Sequence, residues 1–85
     1  MTFLRTRFIP KSKARPGQII VTILTGPNQG RREAYAYRDL NPAPDSGGPH
    51  AEAARRLAEL LELGNQVRET DFRNDGSTYS VEATG

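Results

Sequence analysis

The chain has no cysteine and no tryptophan, and only one histidine and one methionine in 85 residues. Without cysteine there can be no disulfide and no thiolate metal site, which agrees with a reducing, cytoplasmic setting. With one histidine, every Ser/His/Asp or Cys/His arrangement would have to share His50, so no enzyme and no cofactor is expected. No apolar run approaches membrane-spanning length, and the basic N-terminus lacks the apolar core of a signal peptide, so no membrane partner is expected. Acidic residues are missing from one part of the chain altogether. Residues 1–32 hold seven Lys or Arg and no carboxylate, whereas residues 33–85 hold five Arg and all ten Asp and Glu. A modest net charge of +2 therefore hides a basic part and an acidic part, the pattern of a molecule with two unlike faces.

This length allows one domain, residues 1–85, and a chain so short buries only about 60% of the surface it exposes when unfolded. Ile, Leu, Val and Phe total 17, a small supply, but their spacing is regular. TFLRTRFI (2–9) alternates, with Leu4, Thr6 and Phe8 on one side and Arg5 and Arg7 on the other, which predicts a half-buried strand. Pro10 and the Pro16-Gly17 pair mark KSKARPG as a loop. QIIVTILT (18–25), β-branched and almost wholly apolar, predicts a central strand with at least one face covered. GPNQG (26–30) is a turn. RREAYAYR (31–38) alternates again, and the expectation is that Ala34 and Ala36 face inward, making room for a helix, with Tyr35 and Tyr37 on the other face.

NPAPDSGGP (41–49) is a connector. HAEAARRLAELLELG (50–64) predicts a helix with Ala54, Leu57, Ala58 and Leu61 as its apolar stripe, widened by Ala53 and Leu60. Glu52 and Arg56 form an i,i+4 pair, and Gly64 is expected at the left-handed position past the helix end. The tail closes as a hairpin around Asp75-Gly76, a register that sets Phe72 opposite Tyr79 and Thr70 opposite Val81. The order β-β-β-α-β-β predicts an α+β domain, one helix packed on a four- or five-stranded, mainly antiparallel sheet.

Two apparent metal or phosphate signals dissolve on inspection. Asp71, Asp75, Gly76 and Glu82 echo a calcium-loop spacing, but Arg73 stands where a carboxylate is needed and no helices flank it. GPNQGR lacks the Lys-Ser/Thr ending of a phosphate loop and leads into a strand. The basic segment RTRFIPKSKARPG carries the stronger message. Arg5, Arg7, Lys11, Lys13 and Arg15, joined by Arg31 and Arg32, make a candidate patch for nucleic-acid phosphates or an acidic protein surface, with Tyr35 and Tyr37 as candidate base-stacking groups; the alternative for the two tyrosines is packing under the helix or across to Phe8. The bland alternative is that cations on an edge strand only prevent edge-to-edge aggregation. An opposite reading assigns recognition to the carboxylates, among them Glu52, Glu59, Glu62 and Glu69, as a mimic of a phosphate track.

IPKSKARPGQIIVTI, a turn, a Tyr-bearing strand, a Pro/Gly connector and AEAARRLAELLELG resemble, in size and order, small proteins encoded by phages and mobile elements, of the anti-CRISPR type. The resemblance implies a non-catalytic inhibitor or adaptor in the bacterial host cytoplasm. Such a protein would bind a host protein or ribonucleoprotein complex that processes nucleic acid, and occlude the nucleic-acid path. The alternative is a small DNA- or RNA-binding module using the same basic patch. Either could be a monomer or a homodimer.

Overall fold

A computed structural model describes residues 1–40, 47–73 and 76–82. Five strands, β1 (Thr2–Ile9), β2 (Gln18–Ile23), β3 (Arg32–Ala36), β4 (Gln66–Arg73) and β5 (Gly76–Glu82), form one antiparallel sheet in the order β3-β2-β1-β5-β4. The helix α1 (Gly48–Leu60) covers one face of it. The expected α+β architecture is what is found. No helix among the described residues is long and apolar enough to cross a membrane.

Period-two alternation decides what lies under the helix. Leu4 stands beside Ile23 and Tyr79, and Thr6 beside Val21. With Ile19 and Val81 these side chains form the sheet's half of the core. The helix contributes Ala51, Ala53, Ala54, Leu57 and Ala58, all buried. Alanines do bring the two layers close, but they are the helix's. The sheet alanines expected to face inward do not: Ala34 is exposed, while Tyr35 packs against the core cluster. The register explains this, because Tyr35 pairs with the buried Ile19, so its side chain shares that residue's face.

Three local expectations also change. The helix stops at Leu60, which is 60% exposed on the far flank of the stripe. Past the helix end, Glu62 rather than Gly64 takes the compact left-handed conformation, with φ 55°. Leu63 N–H donates to the Ala58 carbonyl (2.8 Å) and Glu62 N–H to the Glu59 carbonyl (3.1 Å), a Schellman arrangement with Glu62 at its left-handed position.

The C-terminal hairpin is shifted from its expected register. Arg73 pairs with Gly76, Phe72 with Ser77, and Glu69 with Tyr79, with a bulge between Glu69 and Asp71. Val81 consequently faces Val67 rather than Thr70. In this register a Cβ at Gly76 would collide with the Thr6 carbonyl oxygen of β1. The glycine is thus used for close strand contact, and residues 74–75, with the Asp75 of the expected turn pair, lie outside the described residues, as do 41–46 of the connector.

Candidate functional site

The sheet splits the predicted cations into two groups on opposite faces. Phe8 shares the helix-facing side of β1 with Leu4 and Thr6 but lies beyond the helix's cover, 38% exposed. Gly17 sits flat against its ring, where an added Cβ would lie 3.5 Å from the ring carbons. Tyr37 is not on β3 as expected. It opens a 3-10 turn, Tyr37–Asp39, and stands 47% exposed.

Several contacts place that turn. Tyr37 N–H donates to the Gly17 carbonyl (2.8 Å), Leu40 is buried behind it, and an Arg56 guanidinium N–H from the helix donates to the Asp39 carbonyl (2.9 Å). The Phe8 and Tyr37 rings then meet edge to face, with centroids 5.6 Å apart and planes at 76°.

Around this pair the β1–β2 loop closes a cleft of about 600 Å³, lined by Lys11, Lys13, Arg15 and Arg38 together with both rings and, among the described residues, by no carboxylate. Reciprocal bonds between Ser12 and Arg15 (2.9 and 3.4 Å) hold the loop in a small bracket, so its cations are displayed on a shaped turn. Phe8 and Arg38 were not among the candidates from sequence. Phe8's strand parity assigns it to the helix side, but nothing local says that the helix leaves it uncovered.

The second group is on the uncovered face. Arg5 and Arg7 project from β1 and Arg32 from β3, across Ile20 and Thr22 of β2 and Leu24 just beyond it. They border a groove of about 490 Å³, again with no carboxylate in its lining among the described residues. The strand order removes the bland explanation for two of these cations. Edge protection belongs to edge strands, and β1 is the middle strand of five.

The remaining candidates are engaged elsewhere. Arg31 lies 3.9 Å from Glu33. Tyr35 faces the helix layer, away from Arg5 and Arg7; burial pushes its hydroxyl pKa up, with Glu33 adding and Arg56 opposing. Comparison with family models, with curated proteins and with solved structures finds no match to this chain.

A polar cluster occupies the space beneath the helix's first turn. His50 places Nδ1 2.8 Å from Thr6 Oγ1. Ser77 N–H donates to the same Thr6 oxygen (3.1 Å), and Thr6 can return its proton to the Ser77 carbonyl (3.2 Å). Burial lowers the His50 pKa, partly offset by the nearby Glu69 carboxylate. Tyr79, hydrogen-bonded to Glu69 at 3.3 Å, is pushed up to about 12, chiefly by burial. Thr6 is fully buried, so the His50–Thr6 contact serves to join the helix to the sheet. Of the helix carboxylates, Glu52 meets both Arg55 (3.1 Å) and Arg56 (3.4 Å), which blunts the acidic face as a phosphate mimic.

Proposed function

We propose that this protein is a non-catalytic nucleic-acid-binding module whose primary contact is the cleft at the loop end of the sheet. The observation that carries the reading is the Phe8–Tyr37 pair ringed by Lys11, Lys13, Arg15 and Arg38, with no carboxylate in the lining among the described residues. Exposed rings bordered by cations suit a ligand made of flat bases on a phosphate chain: the rings stack and the cations neutralise. An acidic protein surface would satisfy the cations but leave the ring pair without a matching partner. Between the two readings open from sequence, direct nucleic-acid contact is therefore favoured over occlusion of a host complex.

Fluorescence anisotropy of labelled oligonucleotides between about 50 and 200 mM salt tests this. On probes that engage the cleft alone, four cations predict a slope of log K on log salt of about −3 for a single strand and about −3.6 for a duplex. Lys11→Gln with Lys13→Gln removes two of the four and flattens the slope by about 1.4 to 1.8. Absence of saturable binding by about 10⁻⁴ M at low salt overturns the proposal, and a nuclease-resistant protein complex would then return the inhibitor reading.

A further inference from the structure

We infer that the ligand is a single nucleic-acid strand that rounds the loop end of the sheet and lies along both of its faces. This rests on the nucleic-acid reading and narrows it to one ligand class.

Arg7 and Phe8 are neighbours in β1. As consecutive residues of a strand they project to opposite faces, and each belongs to a different basic surface: Phe8 to the end cleft, Arg7 to the groove on the uncovered face. Lys11, Lys13 and Arg15 are exposed in the loop that joins the two. The cations thus run as a track from one face, around the end, to the other.

The groove has the shape of a continuing path. Arg5 and Arg32 flank Thr22 in one row of the sheet, two inter-strand spacings apart, or about 9.6 Å. Arg7 follows Arg5 on the same side of the groove about 7 Å further along. Ile20, Thr22 and Leu24 form the floor between these walls, and among the described residues the groove lining includes no aromatic ring. The groove therefore offers charge for a backbone, and the ring pair in the cleft offers the place for bases.

A duplex cannot use both surfaces. Its persistence length is about 50 nm, whereas the two surfaces are separated by a single sheet layer. A single strand bends freely on that scale. Unpaired bases are also what exposed rings accept, since stacking on a side chain requires a base freed from its neighbours.

The test is anisotropy with three probes: an oligo-dT strand of about 12 nucleotides, one of about 4, and a duplex of about 12 base pairs, lengths spanning common single-strand site sizes. Each is titrated against the native chain and the Arg5→Gln/Arg7→Gln/Arg32→Gln variant. Seven engaged cations predict a salt slope of about −5 on the longer strand, falling to about −3 in the variant. The short strand, which fills only the cleft, should bind both proteins alike, and the duplex should bind the native chain more weakly than the longer strand. If the triple variant has lost its fold by circular dichroism, the three single substitutions replace it, each flattening the slope by about 0.7.

A duplex bound as tightly as the strand, or a slope unmoved by the substitutions, overturns the wrapped strand while leaving nucleic-acid binding intact. Failure of all three probes to bind overturns both.

Discussion

Thr6 Oγ1 and His50 Nδ1 lie 2.8 Å apart, tying the middle strand of the sheet to the first turn of the helix. Because the imidazole is partly buried, its pKa in the folded chain is depressed below the ordinary value of 6.5. The unfolded chain then binds a proton more readily than the folded one, so stability rises with pH through this window and falls as pH drops below about 6.5. His50 is the chain's only histidine, and no other side chain ordinarily titrates between about pH 5.5 and 7. Urea denaturation across that range should show the loss in the native protein. His50→Asn, whose amide can still meet Thr6 but cannot titrate, should flatten it. Glu69 opposes the depression, so Glu69→Gln should steepen the loss. An unchanged profile in the Asn variant would assign the dependence elsewhere.

Gly76 is held against β1 with no space for a side chain, since the obstacle to a Cβ is the Thr6 backbone carbonyl. Gly76→Ala must displace one strand from the other and should cost about 1–3 kcal/mol. At about 4–8 °C per kcal/mol for a domain of this size, the loss is visible in a thermal melt. A melting temperature equal to that of the native protein would contradict the close approach.

Glu62 adopts φ 55° at the position where helices favour glycine. Glu62→Gly should relieve that conformation and stabilise the protein by roughly 0.5–1 kcal/mol. Glu62→Ala, equally strained at that φ, should bring no comparable gain. Parallel melts of the two variants separate a backbone effect from the loss of one surface charge.

Tyr37 is half exposed and touches Phe8 edge to face. If bases stack there, Tyr37→Ala should weaken oligonucleotide binding by about 1–3 kcal/mol, or about 5- to 150-fold. The salt slope should not move, because no charge is removed. Tyr37→Phe keeps the ring and should bind nearly as the native protein does. Equal binding by the Ala variant would remove Tyr37 from the interface.

The elements of this fold were legible in the residues because their signals are local. Leu4, Thr6 and Phe8 alternate with Arg5 and Arg7, and β1 occurs at residues 2–9 as that alternation predicts. Ala54, Leu57 and Ala58 recur at helical spacing and all three are buried. The gathering of cations before residue 33 is likewise a property of the string. The facing of Tyr35 was not legible, because alternation says only that neighbours point apart. Pairing with buried Ile19 decides which of them points inward.

What the sequence by itself determined is therefore the kind and order of the elements, and a basic first third without acids. The tertiary structure alone decided the rest, because each remaining choice depends on residues far apart in the chain. β1 became the middle strand by pairing Leu4 with Tyr79, almost the full length of the chain away. The C-terminal hairpin's register sets Gly76 beside the Thr6 carbonyl, where a Cβ would collide. The cations were divided between two faces because one helix covers only part of one of them, leaving Phe8 and Tyr37 open at the end and Arg5, Arg7 and Arg32 open behind.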